Sequence, residues 1–151
     1  MKYVTGNVVE ANERYIAQGC NALGVMGKGV AKAIKQKYKK AYNDYKSHIL
    51  KTDDPLGTAN ISEQYDGKII LNLITQRDYG NDAREYASLE AIKNSIIHAL
   101  SQIKDEITDI AIPKIGAGLG GLKWSDVEQQ LIDLEKQLKI NFTVYELEKG
   151  A

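Results

Sequence analysis

The chain has 151 residues, of which 43% are hydrophobic and 26% are charged. This length and composition predict one globular domain with a two- or three-layer core, and they exclude the disordered and fibrous classes. The formal net charge is zero. Zero net charge argues against general nucleic-acid binding, which needs a surplus of basic surface. The one basic cluster is interpreted as a solvated helix face, with a local nucleic-acid contact as the alternative; its residues are Lys32, Lys35, Lys37, Lys39 and Lys40.

Cys20 is the only cysteine in the sequence, so no disulfide can form within the chain and a reducing compartment is expected. We recognise no signal peptide and no apolar run of membrane length, and we expect a cytoplasmic protein without membrane association. Cys20 is interpreted as a buried thiol, because His48 and His98 are the only possible bases of histidine type and both lie far from it in sequence. These three residues give no metal set, and no cofactor is expected.

The N-terminal half predicts a strand, a glycine-rich loop and a helix in succession. A short β-prone run at Lys2–Val4 ends at Thr5-Gly6-Asn7, and a second strand is predicted over Arg14–Cys20. The segment Asn21–Gly29 follows and contains three glycines. A helix is predicted after it from the spacing of Val30, Ala33, Ile34, Tyr38, Ala41, Tyr42 and Tyr45.

A hairpin is predicted in the middle of the chain. Asp54-Pro55-Leu56-Gly57 indicates a turn, and two strands follow over Ala59–Tyr65 and Lys68–Thr75. Asp66-Gly67 between them is a strong signal for a two-residue turn. The polar segment Gln76–Arg84 predicts a loop.

The C-terminal part repeats the order of strand, glycine-rich loop and helix. After a predicted helix over Tyr86–Lys104, Ile110–Ile115 predicts a buried strand, and Gly116–Gly121 follows with four glycines in six positions. A helix is predicted to begin near a capping box, Ser125-x-x-Glu128. Its apolar stripe is Val127, Leu131, Leu134 and Leu138. Asn141–Leu147 is the last predicted strand.

This alternation predicts an α/β fold, a three-layer α/β/α sandwich with a mixed, mostly parallel six-stranded sheet. Loops at the carboxyl ends of parallel strands lie on one edge of such a sheet, where ligands bind. A glycine-rich loop that opens a helix offers unpaired N–H groups to an anion. If Asn21–Gly29 and Gly116–Gly121 both reach this edge, they can hold a diphosphate from two sides.

Other nucleotide-binding motifs fit less well. Gly116-x-Gly118-x-x-Gly121 matches the dinucleotide fingerprint, but only one further strand follows it, which is too little for a nicotinamide-binding half. A Walker P-loop is disfavoured because Leu122 stands where that motif needs a lysine. The remaining alternative is that the glycines serve only tight turns and close packing.

Six ordered segments resemble the macro domain family, and together they span Lys2 to Leu147. The segments are Tyr3-Val4-Thr5-Gly6-Asn7, Gln18-Gly19-Cys20-Asn21, Val25-Met26-Gly27-Lys28-Gly29-Val30-Ala31, Leu73-Ile74-Thr75, Ile112-Pro113-Lys114-Ile115-Gly116-Ala117-Gly118 and Val144-Tyr145-Glu146-Leu147. The branch they resemble contains ADP-ribose 1''-phosphate phosphatases and terminal ADP-ribose glycohydrolases. The resemblance implies a single macro domain over residues 1–151 that binds ADP-ribose.

The resemblance also implies roles for individual residues. Asn7 stands where many macro domains place an aspartate that accepts from the adenine amine, and Asn21 matches the position beside the distal ribose. Tyr145 is either a wall of the adenine slot or a core residue of its strand. The full set of implied ligand-binding residues is Asn7, Val8, Asn21, Gly27, Lys28, Gly29, Val30, Gly116, Ala117, Gly118, Leu119, Gly120, Gly121 and Tyr145.

Departures from the family pattern bear on catalysis. The similar glycohydrolases carry a lysine where this chain has Gln76 and an aspartate where it has Gly120, which argues against a lysine-dependent mechanism. Some phosphatases carry a histidine at the position of Gln18. The catalytic candidates are Asn21, to orient a water or the terminal phosphate, and Asp82, as a base. Asp82 also fits a turn aspartate.

The function implied by the resemblance is binding of ADP-ribose with slow hydrolysis of ADP-ribose 1''-phosphate. One alternative is a non-catalytic reader of ADP-ribose or of ADP-ribosylated macromolecules. Another is a de-ADP-ribosylating hydrolase that works without the usual lysine.

Overall fold

The computed structural model describes residues 1–80 and 84–147. The strands are β1 (Lys2–Thr5), β2 (Tyr15–Asn21), β3 (Ala59–Glu63), β4 (Ile69–Gln76), β5 (Asp109–Ile112) and β6 (Asn141–Glu146). The α-helices are α1 (Gly29–Lys37), α2 (Lys39–Lys51), α3 (Leu89–Ser101) and α4 (Trp124–Leu138). Short 3₁₀ turns at Val8–Glu10 and Gly118–Gly120 complete the elements. No helix in the described ranges combines the length and the apolar character needed to cross a membrane.

The strands form one sheet in the order β1-β6-β5-β2-β4-β3. Every neighbouring pair is parallel except β3 and β4, which form the antiparallel hairpin. Helices α3 and α4 pack on one face of this sheet, and α1 and α2 pack on the other. The predicted three-layer α/β/α sandwich with a mixed, mostly parallel six-stranded sheet is therefore confirmed.

The alternation of side chains along β2 explains why both faces are buried. Tyr15 and Ala17 belong to the core under α3 and α4. Ile16 packs against α1, and Cys20 packs against Tyr45 of α2. Successive residues of a strand point to opposite faces, so a strand covered on both sides is apolar almost throughout.

The centre of the sheet contains a topological switch point. β2 and β5 are neighbours, but the chain leaves β2 towards α1 and the β3–β4 hairpin, whereas it leaves β5 towards α4 and β6. The two strands pair at only two positions, Tyr15 with Ile110 and Ile16 with Ala111. Their carboxyl ends therefore separate, and such a gap is where ligands bind in open α/β sheets.

The single helix predicted after residue 29 is wrong, because the chain forms two helices. Tyr38 lies between α1 and α2 with φ −122° and ψ 77°, outside the helical region. Its ring is buried, and its hydroxyl donates to Asp66 at 2.8 Å. Both helices pack their apolar residues against the same face of the sheet. The apolar spacing therefore continues across the break and does not reveal it.

The predicted capping box at the start of the last helix is also wrong. α4 begins at Trp124, and its N-cap residue Lys123 makes no side-chain capping bond, so Ser125 lies inside the helix. At α3 the cap is real, because the Ser88 hydroxyl accepts from the Ala91 N–H at 3.2 Å. This cap starts α3 at Leu89, three residues after the predicted start.

Candidate ligand-binding site

A cavity of about 510 Å³ opens where β2, β4 and β5 end, a volume typical of sites for small molecules. We call residues 22–28, between β2 and α1, loop 1, and residues 113–123, between β5 and α4, loop 2. The lining residues from β2, loop 1 and α1 are Gly19, Cys20, Asn21, Val25, Gly27, Lys28, Gly29, Val30 and Ala31. Those from the end of β4 and from loop 2 are Thr75, Gln76, Tyr79, Gly80, Pro113, Lys114, Ile115, Gly116, Ala117, Leu119 and Gly120. Both glycine-rich loops therefore meet at one cavity.

The start of α1 forms part of the cavity wall. Its N-cap residue Lys28 makes no side-chain capping bond. Gly29, Val30 and Ala31 all line the cavity, and N–H groups in the first turn of a helix have no acceptor within the helix. These donors and the positive end of the helix dipole favour an anion.

Only part of loop 2 reaches the cavity. Gly120 lines it, although its N–H donates to Ala117 at 3.2 Å. Gly121 does not line it, and any side chain there would collide with the carbonyl oxygen of Arg84. Gly118 also lies outside the lining residues, and its φ of +60° favours glycine whatever the surrounding space. Backbone conformation at Gly118 and close packing at Gly121 therefore explain why these positions are glycine, without any ligand.

Asn21 shapes loop 1. Its Oδ1 accepts from the N–H groups of Leu23 at 3.0 Å and Val25 at 3.3 Å, and its Nδ2 donates to the Val25 carbonyl at 2.9 Å. These bonds fold the segment after β2 into an Asx-type turn. Asn21 also lines the cavity, so the residue that holds the loop borders the ligand space.

Tyr45 of α2 supports the same turn from beneath. Its hydroxyl lies 2.6 Å from the Asn21 carbonyl oxygen and 2.9 Å from Asn21 Oδ1, and it accepts from the Gly24 N–H at 3.0 Å. The ring is fully buried. Sequence reasoning treated Tyr45 only as an apolar helix position. The available signal was its hydroxyl, since a buried tyrosine needs a polar partner.

Gln18 and Cys20 lie in the interior on the side of α1 and α2. Gln18 Nε2 donates to Asn72 Oδ1 at 2.7 Å, and Gln18 is absent from the lining of the cavity. Cys20 borders the cavity but is buried, as predicted. Burial raises the pKa of its thiol, which keeps it protonated and unsuited to nucleophilic attack.

Gln76 and Gly120, the two departures from the glycohydrolase pattern, lie next to each other. Gln76 pairs with Asn21 across β2 and β4, and its Nε2 donates to the carbonyl of Asp78 at 2.6 Å. A Cβ atom added at Gly120 would stand 3.7 Å from Gln76 Oε1 and 3.2 Å from Ala87 Cβ. A side chain at position 120 would therefore start in contact with Gln76 and Ala87.

Five of the predicted ligand residues lie outside this cavity, namely Gly118 and Gly121 of loop 2 together with Asn7, Val8 and Tyr145. Asn7 Oδ1 accepts from the Val9 N–H at 3.0 Å and so caps the Val8–Glu10 turn. Val8 is buried in the core, and Tyr145 packs against that core. The Tyr145 hydroxyl donates to Glu13 at 2.5 Å. Burial and this carboxylate raise the pKa of Tyr145 to about 12.

The lining of the cavity favours anions. Lys28 and Lys114 line it, and none of its described lining residues is a carboxylate or a histidine. Lys114 Nζ also pairs with Glu146 at 2.6 Å.

The catalytic candidate Asp82 falls outside the described residues. Among residues 1–80 and 84–147, no group of three or more histidine, cysteine, aspartate or glutamate residues could hold a metal ion.

The comparisons with known proteins agree with this geometry. Residues 17–131 match the family model described as Macro domain, and the chain belongs to the macro domain family. It is 31% identical over 140 residues to a Mycobacterium tuberculosis protein named DNA ADP-ribosyl glycohydrolase, which covers 90% of this chain and 39% of that protein. The chain thus spans about two fifths of the length of the first relatives it matches.

Two further comparisons cover both partners almost completely. A Candida albicans protein named ADP-ribose 1''-phosphate phosphatase is 27% identical over 158 residues, covering 96% of this chain and 98% of that protein. The solved macrodomain of Mycobacterium tuberculosis DarG has a TM-score of 0.81 and 30% sequence identity, with 95% of each chain covered. The relatives are therefore hydrolases of ADP-ribose derivatives by name, and the solved relative shares the fold.

Proposed function

We propose that this macro domain binds ADP-ribose, with the diphosphate held between loop 1 and loop 2. The observation that carries the proposal is the uncapped start of α1, where Gly29, Val30 and Ala31 line the cavity. Lys28 adds a positive charge beside these N–H groups, and no described lining residue adds a negative one. A diphosphate fits these N–H donors and this positive charge, because it accepts several hydrogen bonds and is anionic.

The remaining ligand residues are assigned by the same proposal. Asn21 lies beside the distal ribose and holds loop 1 in place, while Ala117 and Leu119 border the diphosphate from loop 2. The adenine lies beyond the cavity, near the Val8–Glu10 turn and Tyr145. Asn7 then contacts adenine through an uncharged oxygen that the Val9 N–H already shares, which makes this contact weaker than one from an aspartate.

The proposal is tested by isothermal titration calorimetry with ADP-ribose. Gly27→Val is the informative variant, because an added Cβ would meet only Val25 Cγ1 at 3.7 Å and the residue lines the cavity. We expect at least about a tenfold loss of affinity, because the new side chain occupies ligand space. Gly118→Val is less suitable, since the φ of +60° strains the backbone.

The control for this experiment is Asn43→Val on the exposed surface of α2, which adds a β-branched side chain away from the cavity. Thermal unfolding of all three proteins separates lost binding from lost folding. Absence of binding to wild-type protein at millimolar ADP-ribose would contradict the proposed function. Unchanged affinity of Gly27→Val would contradict the two-loop site.

Hydrolysis of ADP-ribose 1''-phosphate is the second candidate function. It is favoured by the similarity to the Candida albicans phosphatase over nearly that protein's whole length. N–H groups of the two loops would stabilise the phosphate charge while a water attacks, and Asp82 is the proposed base. Phosphate release from wild type and Asp82→Asn tests this function. A reader of ADP-ribose or of ADP-ribosylated macromolecules would bind the ligand without releasing phosphate.

A further inference from the structure

Charge is distributed unevenly in this molecule, although its net charge is zero. The segment 28–51, which contains the N-cap residue of α1 and the two helices α1 and α2, has eight lysines and one aspartate. The remaining residues therefore carry a matching excess of carboxylates. Because α1 and α2 together cover one face of the sheet, this outer layer is strongly basic while the whole molecule is neutral.

Most of these lysines are not neutralised by a carboxylate. Lys40 pairs with Asp44, the one acidic residue of the segment, and Lys37 pairs with Glu10, both at 2.9 Å. The other six form no ion pair within residues 1–80 and 84–147: Lys28, Lys32, Lys35, Lys39, Lys46 and Lys51. All but the half-buried Lys35 are exposed, so the layer presents uncompensated positive charge to the solvent.

Lys28, Lys32 and Lys35 lie along one side of α1, because residues three and four apart are neighbours on a helix. Lys28 lines the cavity at the start of the helix, and Lys35 lies about 10 Å further along the axis at the rise of an α-helix. The row therefore leads from the cavity on to the outer surface of the helical layer. Like charges at this spacing destabilise a helix, so the row does not contribute to folding.

Tyr42 brings lysines of the two helices together. Lys35 Nζ from α1 lies 4.1 Å from the centroid of the Tyr42 ring, and Lys46 Nζ from α2 lies 5.3 Å from it. The ring attracts both cations, but the cations repel each other and neither has a carboxylate partner in the described part of the chain. An anion that contacts both ammonium groups would offset this repulsion.

We propose that Lys28, Lys32, Lys35 and Lys46, which we call the lysine face, bind the phosphodiester backbone of a nucleic acid. Lysine binds phosphate as a point charge, and such contacts follow the backbone without reading bases. Leu50 is the only exposed large hydrophobic residue within residues 28–51. The face therefore lacks the apolar anchors on which protein partners and membrane surfaces depend.

The lysine face adjoins the cavity through Lys28, so it specifies which class of macromolecule carries the ADP-ribose. A nucleic acid held along α1 would bring an attached ADP-ribose to the mouth of the cavity. This link between the face and the substrate rests on the proposed binding of ADP-ribose. The contact between lysines and phosphates does not depend on it.

The test measures the Kd of a fluorescein-labelled single-stranded DNA of about 20 nucleotides, long enough to cover one binding module, by fluorescence anisotropy. The three-lysine variant replaces Lys32, Lys35 and Lys46 together by glutamine and keeps Lys28, which belongs to the cavity. We expect it to bind the DNA about tenfold or more weakly than wild type at about 50 mM salt.

The matched control replaces Lys93, Lys104 and Lys136 by glutamine. These exposed lysines lie on or next to α3 and α4, on the other side of the sheet, so the control has the same net charge as the three-lysine variant. We expect its Kd for the DNA to change less than about twofold. Arginine at positions 32, 35 and 46 keeps the charge and should preserve binding.

The salt dependence counts the contacts that are lost. Each phosphate contact with a single strand contributes about 0.7 to the slope of log K against log salt concentration. The three-lysine variant should therefore have a slope about 2 smaller in magnitude than wild type. The control variant should keep the wild-type slope.

Absence of DNA binding by wild type at low salt would overturn the inference. Equal losses of affinity in the two glutamine variants would also overturn it, because net charge would then explain the binding. Equal competition by poly-glutamate would overturn it in favour of an acidic protein partner. Calorimetry with free ADP-ribose keeps the two proposals apart, since wild type that binds DNA but not ADP-ribose would overturn only the proposed function.

Discussion

At the scale of single residues, Tyr45 connects the hydrophobic core to the candidate site. Its hydroxyl contacts both oxygens of Asn21 and the N–H of Gly24. We expect Tyr45→Phe to weaken ADP-ribose binding about fivefold, because loop 1 loses the group that fixes its curvature. Removing a buried hydrogen bond should also cost about 1 kcal/mol of unfolding free energy.

Tyr38→Phe is the matched control for this prediction. Tyr38 is also buried, and its hydroxyl bonds to Asp66 in the β3–β4 hairpin, away from the cavity. Urea unfolding should show a similar loss of stability in the two variants, whereas calorimetry should show lost affinity only for Tyr45→Phe. Equal affinity losses would mean that Tyr45 acts through general stability.

Site residues that belong to a local strand, loop and helix pattern could be predicted from the sequence. Residues that reach the site from other elements of the fold could not. The glycine-rich segments and Asn21 could be found because strand, loop and helix follow one another directly. Tyr45 reaches loop 1 from the following helix, and Lys114 lines the cavity while pairing with Glu146 on β6. Such contacts depend on how elements are packed, which spacing along one chain does not record.

At the scale of elements, the starts of α3 and α4 differ in how they are capped. The Ser88 side chain accepts from the Ala91 N–H, whereas Ser125 lies within α4 and makes no capping bond. We expect Ser88→Ala to lower the unfolding free energy by about 1 kcal/mol. Ser125→Ala should change it by less than about 0.5 kcal/mol, as for an ordinary surface substitution. Urea denaturation of both variants is the measurement, and a larger loss for Ser125→Ala would contradict the structure.

Element types were easier to predict than element ends. The hairpin around Asp66-Gly67 was predicted correctly, because the turn signal is local. The predicted two-residue turn is wrong, because Glu63 pairs with Ile69 and the Gln64 N–H donates to the Lys68 carbonyl, which leaves three residues in the turn. β5 ends at Ile112, although the strand was predicted to continue to Ile115, since Pro113 has no N–H to offer the sheet. The break at Tyr38 was missed because burial on one side continues through both helices. The end of β5 is set by the backbone chemistry of proline, and the break between α1 and α2 is set by packing. The spacing of hydrophobic residues along the sequence decides neither.

At the scale of the whole molecule, His48 makes stability depend on pH. Its Nε2 lies 2.7 Å from the Thr58 hydroxyl, which itself donates to Pro55, so the neutral imidazole donates to Thr58. Burial, and to a smaller extent the nearby His98, lower the pKa of His48. The unfolded chain therefore takes up a proton at higher pH than the folded chain.

The sign follows directly from this difference. The contribution of His48 is present above the ordinary histidine pKa of about 6.5 and is lost as the pH falls below it. We expect the unfolding free energy to decrease between about pH 7.5 and pH 5.5. His48→Gln should have a flatter profile over this interval, measured by urea unfolding at each pH. An equally steep profile in the variant would assign the slope to other groups.

The separation of β2 and β5 after two paired positions has a consequence for substitutions around the cavity. The cleft is a property of main-chain paths and glycines, so exchanging the side chains around it does not close it. We therefore expect substitutions of lining side chains to change what the cavity contacts, while the separation of the two strands, and with it the cavity, remains.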